Sequence, residues 1–258
     1  METLKVIKIG GQIINDPKKL SSFLENFATL KGPKILVHGG GKLATSLAKQ
    51  MNITVTMKEG RRVTDAKTLD IITMAYAGKI NKNIVATLQA NYCNAIGFSG
   101  ADGNTIVSKK RPVKEIDYGF VGDIKKVHTE TLNLLIHLNI VPVFCAITHD
   151  TQGQLLNTNA DTIASELAIA FSDNFQVELY YCFEKSGVLK SIQDETSVIK
   201  TITTKDYKTY IDQGIITDGM IPKLDNCFYA IKNKVRQIYI GMPDMIFDTT
   251  IPHTSIQK

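Results

Sequence analysis

The chain has 258 residues, enough to bury a sizeable core in one large α/β domain or in two lobes. Hydrophobic residues make up 43% and charged residues 21%, and no apolar run approaches the ~18 residues of a membrane span, so a membrane-spanning helix is excluded. The net charge of +5 is spread along the chain, which suits anionic small molecules and gives no reason to invoke nucleic acid.

No signal-peptide pattern follows Met1, and the expected location is the cytoplasm. Cys93, Cys145, Cys182 and Cys227 lie far apart in apolar surroundings with no C-x-x-C pair, and read as buried free thiols. His38, His128, His137, His149 and His253 have no metal-ligand spacing; each reads as structural or surface, and no protein-held metal site is expected.

In chain order, residues 4–9 alternate as a strand that runs into Gly10-Gly11. Lys8 thus sits near the strand's C-terminal end, where ligands collect in open α/β sheets. A helix is predicted over 17–30, with Pro17 suited to its first turn. The run 34–38 is a second strand, ends in Gly39-Gly40-Gly41 and passes at once into a helical pattern reaching about Met51. Glycine admits a ligand without a Cβ in the way, so strand, glycine turn and helix together present bare N–H groups to an anion. A β-rich piece over 53–57 leads to Gly60-Arg61-Arg62-Val63-Thr64, and 65–92 reads as one long helix.

Short strands are expected at 94–99 and 105–108, around Gly100-Ala101-Asp102-Gly103, and an extended piece at 119–125. A helix over 129–138 precedes a buried strand over 140–147. The polar cluster Asn157-Thr158-Asn159-Ala160-Asp161 opens a helix running to Phe171. A lobe boundary falls best after Ser172. Beyond it come a strand at 177–183, a helix at 205–213, a turn at 214–218, a helix over 218–233 and a last strand at 238–240. Alternating strands and helices predict a largely parallel sheet covered on both faces.

Two stock phosphate motifs can be tested. G-x-x-x-x-G-K-[ST] is absent, because Leu36 holds the first glycine position and Leu43 follows Lys42. Gly39, Gly41 and Ala44 satisfy G-x-G-x-x-G/A, with Glu59 further on, but a dinucleotide fold places that fingerprint on its first strand and here a strand and helix precede it. Two glycine turns after strands, a lysine beside the first and a polar helix start suit phosphoryl transfer better, since that reaction needs positioning and positive charge rather than covalent help.

The motifs Ile7-Lys8-Ile9-Gly10-Gly11, Val37-His38-Gly39-Gly40-Gly41, Gly60-Arg61-Arg62-Val63-Thr64, Ala77-Gly78-Lys79-Ile80-Asn81-Lys82, Gly153-Gln154-Leu155-Leu156-Asn157-Thr158-Asn159-Ala160-Asp161 and Gly214-Ile215-Ile216-Thr217-Asp218-Gly219-Met220-Ile221-Pro222-Lys223 span most of the chain. Together they resemble the acetylglutamate kinases of the amino acid kinase family. The resemblance implies a three-layer αβα sandwich with a largely parallel central sheet. Its N-terminal lobe, 1–172, would bind the acyl-amino acid and dimerise, and its C-terminal lobe, 173–258, would bind ATP. The implied reaction moves the γ-phosphoryl of ATP, carried with Mg2+, to the side-chain carboxylate of N-acetyl-L-glutamate, an early step of arginine biosynthesis.

By the same resemblance Lys8 and Lys223 stabilise the moving phosphoryl group, and Asp161 orients both lysines. Gly40, Gly41, Arg62 and Asn157 bind the substrate; Gly10, Gly11, Glu184, Gly187, Ile215, Ile216 and Thr217 bind the nucleotide. Taken by themselves, Lys8 is equally an ordinary strand-end lysine, Lys223 a solvated one, Asp161 a helix cap and Asn157 a turn residue. The sequence departs from the family at Cys182-Phe183-Glu184-Lys185-Ser186-Gly187-Val188, where Thr/Ser-Asp-Val-x-Gly is usual, so Glu stands for Asp and an extra cation is added. Met1 lies only a few residues before the first strand, where arginine-inhibited members carry a helix that interlaces dimers into a hexamer. The tail 248–258 also lacks the family's usual Gly-Thr segment. A homodimer without arginine feedback is expected. N-Succinyl-L-glutamate remains an alternative substrate, and a sensor that has lost efficient ATP use an alternative role resting on Glu184 and Lys185.

Overall fold

The computed structural model describes residues 1–58, 61–216 and 220–258. Outside the described residues lie Glu59, Gly60, Thr217, Asp218 and Gly219. Among them are the expected nucleotide contact Thr217, part of the arginine motif, and the start of the helix expected over 218–233.

The chain opens with β1 (Thr3–Ile9), a short α1 (Gly11–Ile14) and α2 (Pro17–Thr29), whose N-cap Asp16 accepts hydrogen bonds from the Lys18 and Lys19 N–H groups. β2 (Lys34–His38) leads into α3 (Gly41–Gln50), and a ribbon of β3 (Met57–Lys58) and β4 (Arg61–Arg62) follows. Then come α4 (Ala66–Thr73), a π-helical stretch Met74–Ile80 and α5 (Asn81–Ala90). β5 (Ala95–Phe98), β6 (Ile106–Lys110), β7 (Gly122–Val127), α6 (Glu130–His137), β8 (Val141–Phe144), β9 (Ile147–His149), β10 (Leu155–Asn157) and α7 (Ala160–Phe171) complete the first two thirds. β11 (Gln176–Cys182), β12 (Thr201–Ile202), α8 (Thr204–Asp212), α9 (Ile221–Lys232), β13 (Gln237–Gly241) and β14 (His253–Ile256) finish the chain.

The main sheet has eight strands in the order β12-β14-β13-β11-β1-β2-β8-β5, parallel at every pairing except β13 with β14. All five residues of β2 are buried, although successive side chains point to opposite faces, so both faces are covered. α7 packs on β1, β2 and β11, and α5 on β5 and β8. A smaller sheet, β10-β9-β6-β7, flanks this layer and ends at Asn157. β1 pairs with β2 on one side and with β11, which follows residue 172, on the other. The connection from β1 runs toward β2, so the crevice outside the carboxyl ends of β1 and β11 is the topological switch point where such sheets hold ligands.

Three local expectations change. The helix expected over 65–92 is divided by the π-helical stretch, which contains Gly78, a poor helix former. The strand expected over 140–147 is two strands of different sheets, β8 and β9, with Cys145 and Ala146 between them. The tail, expected to carry no strand, forms β14 and pairs antiparallel with β13. The four cysteines are buried and free, and among the described residues no helix is long and apolar enough to cross a membrane.

Candidate active site

The site grows from strand ends. Lys8 is next to last in β1, in register with Val37 of β2 and Tyr181 of β11. Asp161 lies in the first turn of α7, where the Asn159 side chain is the N-cap, accepting from Asp161 N–H at 2.7 Å and Thr162 N–H at 3.3 Å. The cap is therefore Asn159, and the Asp161 carboxylate is left for other partners. Lys223 lies in the first turn of α9, just after Pro222.

These three side chains meet. Lys8 Nζ lies 2.7 Å from Asp161 Oδ1 as an ion pair, without an aligned hydrogen bond, and Lys223 Nζ donates to Oδ2 at 2.8 Å. Burial works against the carboxylate's charge, but the two ammonium groups outweigh it and hold its pKa well below the usual carboxylate range. Two cations on one anion leave a net positive charge in a half-buried crevice, where screening is weak. Tyr181 supports the bridge from below: its hydroxyl donates to Asp161 O at 3.0 Å, and Lys223 Nζ sits 5.2 Å from its ring centroid.

Beside this bridge stand the two glycine turns. α2, α4, α7 and α8 have side-chain N-caps, whereas α1 and α3 begin at Gly10 and Gly40 with none. Their first-turn N–H groups have no side-chain partner among the described residues, and both turns follow neighbouring strands of the sheet. A Cβ on Gly10 would stand 3.3 Å from Cys182 O and 3.9 Å from Lys8 Nζ, which brings that turn to the lysine. At Gly40 a Cβ would lie 2.3 Å from Ile80 Cδ1 and 2.8 Å from Tyr76 Cδ1, so only glycine fits.

Arg62 reaches the second turn. Its Nη2 donates to Gly41 O at 3.0 Å and to Thr45 Oγ1 at 2.8 Å, while Nη1 is buried with no partner among the described residues. A buried, unpaired guanidinium nitrogen is costly unless an anion completes it. Asn157, at the end of β10, donates to Thr64 Oγ1 at 3.0 Å and so stands two residues along the chain from the Arg62 site. Arg61 is exposed.

The expected nucleotide residues are less gathered. Glu184 is exposed just past β11, on a groove of about 560 Å³ that also takes in Gln12, Phe23 and Asp244. Lys185 is ion-paired with Glu195. Gly187 is buried, and a Cβ there would collide with Thr254 Oγ1 at 2.6 Å. Ile216 is buried, Ile215 is half-buried, and the N–H groups of both bond to Tyr210 O. Among the described residues no cluster of three or more His, Cys, Asp or Glu side chains could cage a metal ion, so a Mg2+ here would take its oxygen ligands mainly from phosphates and water.

Sequence reasoning missed Tyr181, Tyr76, His38 and Asn81. His38 is wholly buried under the second glycine turn, bonded to Gly39 O and Asn81, and Tyr76 walls that turn. Only the motif Ala77–Lys82 hinted at Asn81, and nothing in the spacing ties it to His38.

The amino acid kinase family matches residues 3–241. A protein named acetylglutamate kinase from Cytophaga hutchinsonii is 56% identical over 249 residues, covering 96% of this chain and 94% of that one. Another so named, from Bacteroides thetaiotaomicron, is 53% identical over 96% of both chains. Among solved structures, N-acetylglutamate synthase from Neisseria gonorrhoeae, complexed with coenzyme A and N-acetyl-glutamate, superposes with a TM-score of 0.83 at 16% identity, over 100% of this chain and 59% of that one. Carbamate kinase from Giardia lamblia bound to AMP-PNP gives 0.73 at 12% identity over 100% and 98%. These two likenesses concern the fold alone.

Proposed function

The chain belongs to the amino acid kinase family, and on that premise we propose that it transfers the γ-phosphoryl group of ATP to the side-chain carboxylate of N-acetyl-L-glutamate. The observation that carries the chemistry is the Lys8–Asp161–Lys223 bridge at the mouth of two uncapped glycine turns. The acyl-amino acid is taken from the names of relatives that are 52–56% identical over about 95% of the chain.

In this reaction a carboxylate oxygen attacks the γ-phosphorus, and the bond to the bridging oxygen of ADP breaks with its electron pair. The nucleophile has an ordinary pKa near ~4.3, is already ionised at neutral pH and needs no general base. Charge spreads over the oxygens of the transferring group, and the protein's task is to meet it with fixed positive groups. Lys8 and Lys223 do this from two sides, and Asp161 holds them so that little reorganisation is needed. Mg2+ arriving on the nucleotide phosphates supplies further positive charge there.

Arg62 clamps the substrate's α-carboxylate through its unpaired Nη1, Asn157 holds the acylamino end, and the Gly40 and Gly41 N–H groups face substrate and phosphoryl oxygens. Gly10 and Gly11 take the nucleotide phosphates, with Glu184, Gly187, Ile215, Ile216 and Thr217 around the rest of the nucleotide. Residues 1–172 carry the acyl-amino acid side and 173–258 the ATP side of one domain, in a cytoplasmic homodimer whose mass is twice the 28.5 kDa of the chain.

The test is the initial rate of ADP formation from MgATP with N-acetyl-L-glutamate, with N-succinyl-L-glutamate in parallel and hydroxylamine trapping of the acyl phosphate. Faster turnover of the acetyl compound is expected. Turnover of the succinyl compound alone would replace the substrate, and no turnover of either would remove the proposed activity. Light scattering at the mass of a single chain would remove the homodimer.

A further inference from the structure

Resting on that reading, we propose that His38, oriented by Asn81, is a positioning residue that presets the Gly40 N–H as a donor to an oxygen of the reacting centre. His38 ends β2 and is completely buried. Its Nδ1 lies 2.8 Å from Gly39 O, and its Nε2 lies 3.1 Å from Asn81 Nδ2, which is also 2.9 Å from Val143 O.

The two carbonyls fix every proton in this chain of contacts. A carbonyl oxygen only accepts, so Nδ1 carries a proton and donates to Gly39 O. Val143 O also only accepts, which assigns the Asn81 atom beside it as the amide nitrogen. That nitrogen has a second N–H for His38, and Nε2 must be the acceptor. The imidazole is therefore neutral, in the Nδ1–H tautomer. Burial agrees, pushing its pKa down to about 4.

The consequence falls on the next peptide group. No cis peptide bond occurs among the described residues, and in a trans peptide the N–H points opposite to the C=O. With Gly39 O drawn toward the buried imidazole, the Gly40 N–H is turned the other way, out of the layer that His38 and Asn81 occupy. No acceptor for it occurs among the described residues, although Gly40 is buried and caps α3 without a side chain. A buried donor left without a partner is a group awaiting one.

Two further observations show the turn to be held rather than merely placed. Ile80 and Tyr76 close on Gly40 so tightly that a Cβ would fall within 3 Å of each. Both belong to the π-helical stretch, which delivers Asn81 at its end beside His38. π-Helical segments inside α-helices occur frequently at functional sites. A donor aimed before the substrate arrives needs no reorganisation in the transition state, and its loss falls on turnover more than on ground-state binding.

Nitrogen-15 NMR of the wild-type protein at pH 7, with the His38 signals assigned through His38→Asn, reads the tautomer directly. A neutral Nδ1–H imidazole is expected; the Nε2–H tautomer or an imidazolium would overturn the proposal. This measurement needs no turnover, and so remains decisive if the acetylglutamate reaction itself fails. Kinetics supply the second arm. His38→Leu, which keeps the bulk and removes the donor, is expected to lower kcat at least tenfold while each KM changes less than threefold. His38→Asn, whose amide nitrogen can stand where Nδ1 does, is expected to recover most of that loss. Equal kcat in the two variants, or an effect confined to KM, would show that His38 only fills space. If His38→Leu does not fold, the tautomer and the kcat of His38→Asn relative to wild type decide, a loss beyond tenfold counting against the proposal.

Discussion

At the scale of single residues, charge placement dominates. Lys8 and Lys223 are held by one carboxylate at 2.7 and 2.8 Å. If the proposed chemistry holds, removing either takes away transition-state charge stabilisation, and Lys8→Ala and Lys223→Ala should each lower kcat at least tenfold in steady-state assays. Near-normal turnover in either would remove that lysine from the chemistry. Arg62→Lys loses the planar fork whose Nη2 binds Gly41 O and Thr45 Oγ1 and whose Nη1 has no partner among the described residues. A raised KM for the acyl-amino acid with a smaller change in kcat is expected, and an unchanged KM would move the clamp elsewhere. His38 gives a stability prediction. Burial moves its pKa from 6.5 down to about 4. Between those values the unfolded chain binds a proton that the fold refuses, so stability from this residue is intact above pH 6.5 and is lost as pH falls toward 4. Urea unfolding at pH 7.5 and 4.5 should show wild type losing about 2.5 kcal/mol more than His38→Asn. Equal losses would place a charged imidazole in the fold.

At the scale of elements, a side-chain cap fixes where a helix begins and what its first turn presents. Asn159 caps α7 and Thr203 caps α8, the latter in a capping box with Asp206. Asn159→Ala and Thr203→Ala should each cost about 1 kcal/mol in chemical denaturation. Only the first should also reduce kcat, because α7 aims Asp161 from its first turn; an equal effect of both on kcat would break that link. The glycine turns were legible because glycine after a strand-like run, alternating before Gly10 and apolar before Gly39, is a local signal. The π-helical stretch was not. Residues 65–92 carry helical periodicity throughout, and the widened turn places Tyr76 and Ile80 against Gly40. That partner lies far away in sequence, and no local pattern records it. β14 escaped for a similar reason, since a strand of four residues takes its conformation from pairing with β13 on one side and β12 on the other.

At the scale of the whole molecule, β1 joins strands from both parts of the chain into one sheet, and the site lies across its carboxyl edge. Residues from β1, β2, β4, β10, α7 and α9 contribute to it, so ligands that bridge them should stabilise the fold by linkage. At a hundredfold excess over its Kd, a ligand that binds only the native state adds about 2.7 kcal/mol. AMP-PNP with Mg2+ and N-acetyl-L-glutamate together should raise Tm by about 5 °C or more in scanning calorimetry. No shift with either ligand at millimolar concentration would contradict binding at this crevice. The main sheet's order could be argued only in outline from the alternation of strands and helices. The division of 140–147 between two sheets shows why: a continuous apolar run is equally content in either, and the packing around Cys145 and Ala146 decides.

The sequence by itself determined the α/β class, the two glycine turns, the lysine beside the first and the family to which the motifs belong. Each of these depends on residue type and short-range period, which are written locally. Tertiary structure alone decided that Asn159 caps the helix, leaving the Asp161 carboxylate to the two lysines, and that His38 lies beneath Gly39 in contact with Asn81. It also decided that the Arg62 Nη1 is buried without a partner among the described residues. The physical reason is distance along the chain: His38 and Asn81 are 43 residues apart, and Asp161 and Lys223 are 62 apart. Contacts of that span are chosen by which buried faces close on one another, and the polar partners follow from that closure.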